Sequence, residues 1–489
     1  MSVEFTRRDF LKVAALLPLC PPDGAAGPEA GGTWVNDVHS QLNPTCVRAV
    51  LTPESRIELA EAIRHAARNA APISVSGCRH SMGGQQFATD GLCLDTRGLK
   101  RILSFDRERG LIEVEAGIQW PDLIRGYLAR QDGMAQQWGI AQKQTGADNF
   151  TLGGSLASNV HGRGLAMKPI ISDVESFTLI DARGGTVRCS RQENAELFAL
   201  AIGGYGLFGV IASVTLRLVP RRKLERVVEI IRADEVTAKL AERIRDGFLY
   251  GDFQFSIDEK SPDFLQLGVL SCYRPVDDST PITSARGLSS EQWLGLLHLA
   301  YVDRAHAFGQ YANYYLSTNG QTYWSDTHQL SPYLPDYAAQ LRVKLGGQMR
   351  STLMIGELYV PRPALGQFLR QAAALLREQG PPVIYGTVRL IERDDESFLA
   401  WAKESYASII FNLLTVTGDE GIATSAKAFR ALIGLAAHFG GSYYLTYHRF
   451  ASRSQVEACY PQFPQFLALK RKHDPADVFQ SDWYRHHQR

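Results

Sequence analysis

The sequence holds no Cys-x-x-Cys pair, no long apolar run after its first residues, and almost no net charge. Each absence removes a class of protein. Its seven cysteines (Cys20, Cys46, Cys78, Cys93, Cys189, Cys272, Cys459) stand far apart, which excludes zinc-ribbon and thioredoxin-like sites. They read as small buried hydrophobes, with no required disulfide expected. A net charge of +1 gives no global pull toward nucleic acid or an anionic membrane. No stretch reaches the roughly 20 apolar residues of an integral membrane span. What remains is an ordinary globular composition in a 489-residue chain, long enough for two domains.

The N-terminus carries a targeting pattern. "TRRDFLK" sets Arg7 and Arg8 before Phe10, Leu11 and the apolar "VAALLPLC", which resembles a twin-arginine export signal. "PPDGAAGPEAGG" then supplies small residues suited to processing near Ala26 or Ala30. The resemblance implies a periplasmic or otherwise exported protein. A frayed helix with two solvated arginines, on a cytoplasmic protein, is the alternative. "LPLC" is a poor lipoprotein site, so Cys20 is not expected to carry lipid.

"TPESRIELAEAIRHAARNA" predicts a helix capped by Thr52, with Pro53 in its first turn. "PISVSG" and "LIEVEAG" predict strands, and "PDLIRGYLARQ" a helix. Mixed order runs from about residue 40 to 222. Beyond it, "YGDFQFSIDE" and "LQLGVLSCYRP" read as strands with aromatic faces, and residues 276–345 show no clean periodicity. "MIGELYVPR", "PVIYGTVRLIE", "YASIIFNLLTV" and "SYYLTYHRF" are further strands among helices. In the helix of "ALGQFLRQAAALLREQG", Leu365, Phe368, Leu369, Ala372 and Leu376 share a face and Gly380 supplies the stop. One antiparallel or mixed sheet covered by helices is expected here.

Three glycine-bearing stretches concentrate the chemistry. "GYGLFG" (204–209) spells G-x-G-x-x-G, but it follows the helical "ENAELFALA" and precedes the β-branched "VIASVTLRLV". That order reverses a dinucleotide-binding turn and offers no helix N-terminus to a phosphate. "SVSGCRHSMGGQQF" (74–87) leaves a strand and returns to strand, and its glycines can form a backbone nest for a pyrophosphate or merely a hairpin. "TGADNFTLGGSLASNVHGRG" (145–164) follows Gly153 and Gly154 with small residues, so a flat ring can lie against it.

Together these stretches resemble the vanillyl-alcohol-oxidase, or p-cresol-methylhydroxylase-type, FAD-binding oxidoreductases. The nearest likeness is to sugar, alditol and aldonolactone oxidases and to decaprenylphosphoryl-ribose oxidase. "GCRHSMGG", "TLGGSLASNVHGRG", "AIGGYGLFGVIASVTLRL" and "DPADVFQSDWYRH" carry it, over about 34–222 and 440–489. The resemblance implies an α+β fold: a two-part FAD-binding domain and an α+β cap with an antiparallel sheet over the flavin. The implied division is signal and linker 1–32, FAD domain 33–222, cap 223–439, and a returning segment 440–489.

It also implies FAD as cofactor. The residues carried over are Gly77, Arg79, His80, Ser81, Met82, Gly83, Gly84 and Gln85 in the first stretch. The second contributes Gly146, Thr151, Gly153, Gly154, Ser158, Asn159, His161 and Gly162, and the third Gly206, Gly209 and Val210. His80 stands where covalent members attach FAD, although the family's preceding glycine is Arg79 here. A loop histidine bonding a phosphate is the plainer role. His161 is a flavin neighbour or a structural histidine.

The implied reaction is oxidation of a hydroxylated small molecule (sugar, polyol or aldonolactone) by hydride transfer to flavin N5. Oxygen, a quinone or a cytochrome would then accept the electrons. Some relatives use a Glu-x-Arg pair; this chain keeps Arg389 but has Thr387 for the acid. Where relatives carry a lysine, Tyr447 and His448 stand, as base candidates or as strand packing. Glu357 is a further carboxylate candidate, with a surface salt bridge as its alternative. An NADPH-dependent flavin reductase and a flavin-binding scaffold without turnover remain the competing classes. No metal is expected, and His486 and His487 read as a frayed basic tail.

Overall fold

A computed structural model describes residues 32–283, 287–331, 337–347 and 350–488. Arg7, Arg8 and the rest of the proposed signal through residue 31 lie outside the described residues.

Three larger sheets organise the described residues, beside two of two strands each. In the first, Ala49–Leu51, Leu92–Asp95 and Ile73–Ser76 lie side by side and parallel. Helix Arg56–Arg68 covers it, burying Leu59, Ala60, Ile63 and Ala66 at helical spacing. Its cap is Ser55, not Thr52. The Ser55 hydroxyl accepts the Glu58 N–H, and the Glu58 carboxylate reaches back to the Glu54 amide. Because Ile73–Ser76 and Leu92–Asp95 are parallel neighbours, the 77–91 loop between them is a crossover and not a hairpin.

The second sheet is antiparallel, in the order Thr186–Ser190, Val174–Ile180, Val210–Arg217, Leu111–Glu115, Ile102–Asp106. Val214 pairs with both Val114 and Phe177, so the alternation of these strands feeds one core with Trp120, Leu123 and Phe198. The glycines at 203–209 join helix Ala195–Ala201 to strand Val210–Arg217, the order expected from sequence.

The third sheet is also antiparallel and is the largest. Its eight strands run Thr322–Trp324, Lys223–Arg232, Leu267–Pro275, Tyr250–Phe255, Val383–Ile391, Tyr406–Val416, Ser351–Pro361, Ser442–Tyr443. Helices Leu365–Gln379 and Asp419–His438 cover one face, and the five predicted positions of the first helix are all buried. The other face looks toward the glycine loops. Residues 290–317, which show no periodicity in sequence, are two helices, Ser290–Val302 and Arg304–Ser317. They bury little except Leu294, Ala300, Ala307 and Ala312; Trp293, Tyr311 and Tyr315 instead turn toward a cavity, which spoils the apolar stripe.

After Ser442–Tyr443 the chain returns to the first loop. The Met82 N–H donates to Thr446 O at 3.2 Å, Gln85 Nε2 donates to Leu445 O at 2.6 Å, and Phe479 bridges to Ile73. The end of the chain is helical (Asp482–Gln488), with the His487 ring against Trp483 and Phe463, so it is not a frayed tail. Among the described residues no helix is long and apolar enough to cross a membrane, and no cluster of three His, Cys, Asp or Glu side chains could hold a metal.

Candidate active site

A cavity of about 470 Å³ separates the glycine loops from the open face of the eight-stranded sheet. Its floor comes from the three stretches marked by sequence. Strand Ile73–Ser76 ends at Gly77, where a Cβ would stand 2.0 Å from Thr151 Oγ1; only glycine lets the first two loops touch. Arg79 has φ +62, the left-handed region, so the position keeps a glycine-like backbone although the residue is arginine. Its guanidinium lies 3.6 Å from Asp95 and its Nε has no partner.

His80 is held on three sides. Its Nε2 is 3.2 Å from Asn149 O, its Nδ1 2.8 Å from His39 Nε2, and its ring stacks on Phe150 at 3.9 Å. A carbonyl only accepts, so the proton sits on Nε2 and the Nδ1 lone pair faces His39. Burial, and then the neighbouring His39, pulls His80 down to about 3, leaving a neutral imidazole.

In the second loop Thr151 caps the short helix Leu152–Ala157 by accepting the Gly154 N–H. A Cβ on Gly146 would meet nothing within 4 Å, so the backbone there faces open space. Gly153, Gly154, Ser158 and His161 line the same cavity, as do Gly206, Gly209 and Val210 of the third stretch and Ser81 and Gln85 of the first.

The roof is the sheet. Alternation turns Ile355 and Glu357 of one strand, Ile410 and Asn412 of the next, and Tyr385, Thr387 and Arg389 of the third toward the cavity. Thr387, Ile410 and Glu357 are in register across those three strands. Glu357 is not a surface residue: it is buried, and its partners converge on it. Oε1 accepts from His161 Nε2 at 2.5 Å and Ser408 Oγ at 2.7 Å, and Tyr447 OH donates to Oε2 at 3.3 Å. Burial alone would raise this carboxyl. The His161 charge and hydrogen bond outweigh it, with Ser408 and Arg389 helping, and hold it below the usual range. The Tyr447 phenol is pushed well above its ordinary value by burial and by Glu357. Arg389 donates to Thr145 Oγ1 at 2.6 Å and keeps its Nε unpartnered.

Six sequence-derived candidates do not line the cavity. His448 faces the other side of the sheet: its Nε2 lies 3.4 Å from the place of a Cβ on Gly356, and its ring contacts Phe429 and Phe450. Burial pulls it down to about 3, so it is packing rather than a base poised near neutral pH. Asn159 bolts loops together, donating to Asp394 and Ser397 and accepting from the Ile171 amide. Gly162 accepts from His161 Nδ1 and donates to Gln142. Met82, Gly83 and Gly84 are buried behind the first loop, where Gly83 donates to Gln85 Oε1 and Gly84, with φ +75, accepts the Trp483 N–H.

Sequence reasoning missed His39, Ser408, Arg163, Asp252 and Gln254. The last two had a signal, since "YGDFQF" alternates polar and aromatic residues in a strand whose residues are all buried.

These residues fit a long group with a charged middle and a flat end. Gln144 Nε2, Asn149 Oδ1, Arg79 Nε and Arg389 Nε are buried without partners along the cavity and the loops that bound it, and the Gly146 backbone opens onto it. Residues 47–190 match the family model described as an FAD binding domain. The chain is thus an FAD-dependent oxidoreductase with a p-cresol-methylhydroxylase-type FAD-binding domain. It is related to aldonolactone dehydrogenases and oxidases over most of its length. An L-gulono-1,4-lactone dehydrogenase of Mycobacterium tuberculosis is 24% identical across 89% of this chain and 95% of its own. An L-gulonolactone oxidase of Bos taurus is 23% identical, across 89% and 93%. Cytokinin dehydrogenase 7 of Oryza sativa subsp. japonica is 30% identical, but over only 39% of this chain and 36% of its own.

Proposed function

We propose that the protein oxidises a secondary alcohol of an aldonolactone, sugar or polyol, and that His80 ties the FAD covalently to the first loop. The buried Glu357–His161–Tyr447–Ser408 cluster beside Arg389 carries this reading. Bound FAD supplies the hydride acceptor. The chain must then place the alcohol and take its proton. Glu357 Oε2 has one hydrogen bond, from Tyr447, and faces the cavity, so it can accept a substrate hydroxyl and then its proton. His161 fixes the other oxygen. The Arg389 guanidinium, buried and incompletely paired, stabilises the negative charge that develops on the alcohol oxygen. The apolar roof residues Ile355 and Ile410 keep bulk water from these charges. Oxygen, a quinone or a cytochrome completes the cycle, and the twin-arginine pattern would place it outside the cytoplasm.

The test is a dye-linked oxidation panel of aldonolactones, alditols and aldoses, run beside NADPH with no alcohol. Turnover of one hydroxylated class supports the reading. Reduction by NADPH alone would favour the reductase class instead.

A further inference from the structure

The cavity extends past the reacting cluster, and its far end holds polar atoms that the mechanism does not use. Asp252 and Gln254 lie on one face of strand Tyr250–Phe255; both side chains are more than nine-tenths buried and both line the cavity. Asp252 Oδ1 and Gln254 Oε1 have no hydrogen-bond partner. Two acceptors buried side by side are costly unless something donates to them. The pairing of Phe253 with Val388 sets Asp252 beside Arg389 and Gln254 beside Thr387 on the cavity face. Three strand spacings, about 14 Å of sheet, separate them from the strand of Glu357. They therefore address a different part of a bound molecule than Glu357 does.

Opposite them stands an aromatic wall. Tyr311 and Tyr315, one turn apart on helix Arg304–Ser317, hold their rings 4.5 Å apart, and Tyr385 enters from the sheet. An acid facing aromatic rings could hold an ammonium group. The charges argue otherwise. Arg163 lies 3.9 Å from Asp252 Oδ2 and Arg389 sits on the neighbouring strand, so two guanidiniums surround one carboxylate. A cation entering there meets net repulsion; a neutral hydroxyl donor does not.

We propose that this end of the cavity is a subsite for a neutral, hydroxyl-bearing arm of the substrate, whose O–H groups donate to Asp252 and Gln254 while its C–H face lies on the tyrosine wall. The subsite rests on the reading of the protein as an alcohol oxidiser and deepens it. It favours substrates with hydroxyls remote from the reacting carbon over ones truncated beyond the ring.

The experiment compares gulono-1,4-lactone with 2-hydroxy-γ-butyrolactone, which keeps the ring and one ring hydroxyl but lacks the side-chain diol. Binding to the flavin-loaded protein is followed by perturbation of the flavin spectrum, and turnover by KM and kcat. Wild type should prefer the full lactone. Asp252→Leu should shrink that preference about 10-fold or more, and Gln254→Leu about 3- to 10-fold, chiefly through Kd and KM. Gln254→Glu retains an acceptor and should keep most of the preference, which separates acceptor loss from damage to the strand. Flavin content and melting temperature check that each variant is folded. An unchanged preference in folded Asp252→Leu and Gln254→Leu would overturn the subsite even if lactone is oxidised. Tighter binding of choline than of the lactone would overturn it too. A lactone that binds with the predicted discrimination but leaves the flavin oxidised would support the subsite and sink the oxidation.

Discussion

His161 Nε2 lies 2.5 Å from Glu357 Oε1, while its Nδ1 lies 3.0 Å from the Gly162 carbonyl. Both ring nitrogens face acceptors, the hydrogen-bonding pattern of an imidazolium. The two residues stand 196 positions apart, one in a glycine loop and one on the eight-stranded sheet, and their contact joins the floor of the cavity to its roof. The chemistry assigned to the site depends on this contact.

Glu357→Gln keeps the shape of the side chain but removes the acceptor for a substrate proton. We expect kcat to fall by about 10²- to 10⁴-fold with flavin content retained. Rapid-mixing reduction of the bound flavin checks the chemical step directly. Near-normal reduction in the variant would assign the proton elsewhere.

His80, neutral and fixed by Asn149 and Phe150, is expected to carry the flavin. Acid precipitation should give a yellow pellet for wild type and a yellow supernatant for His80→Ala. His39→Gln, which disturbs the partner of Nδ1, should lower the covalent fraction without abolishing flavin binding. A yellow supernatant from wild type would leave His80 a structural ring.

Asp173 tests the support behind His161. Its Oδ2 accepts from Gln142 Nε2, and Gln142 Oε1 accepts from the Gly162 amide. Burial pushes this carboxyl up from 3.8 to about 6. The folded state thus holds a proton that the unfolded chain gives up near pH 4, so this stabilisation is full below about 4 and is lost as pH rises through 6. Asp173→Asn removes the titration. Its melting temperature relative to wild type should climb between pH 4 and 7.5 by the equivalent of on the order of 2 kcal/mol. A difference that is flat with pH would contradict the assignment.

If the proposed twin-arginine pattern is an export signal, a reporter fused to residues 1–32 leaves the cytoplasm and Arg7→Lys with Arg8→Lys stops it. Export unaffected by the double substitution, or no export at all, would remove the periplasmic placement.

Much of the cavity floor was legible because glycine marks it: Gly77, Gly153, Gly206 and Gly209 are required where chains touch or φ is positive, and such demands show in sequence. The strands of "MIGELYVPR" and "PVIYGTVRLIE", which carry Glu357 and Arg389, were likewise legible as strands. What sequence could not supply was which face. Tyr447 and His448 are neighbours, yet one meets Glu357 and the other packs behind Gly356. The helices at 290–317 were illegible for a related reason: their aromatic residues serve a cavity and not a core, so no hydrophobic period forms. Ser408 and His39 gave no local signal, because their roles arise only from partners far along the chain.

Oxidation of an alcohol by bound FAD is read out by anaerobic absorption spectroscopy of the purified protein. The flavin spectrum should bleach on adding an aldonolactone or polyol and stay bleached until an acceptor is admitted. Flavin that stays oxidised with every hydroxylated compound, yet bleaches with NADPH alone, would contradict it.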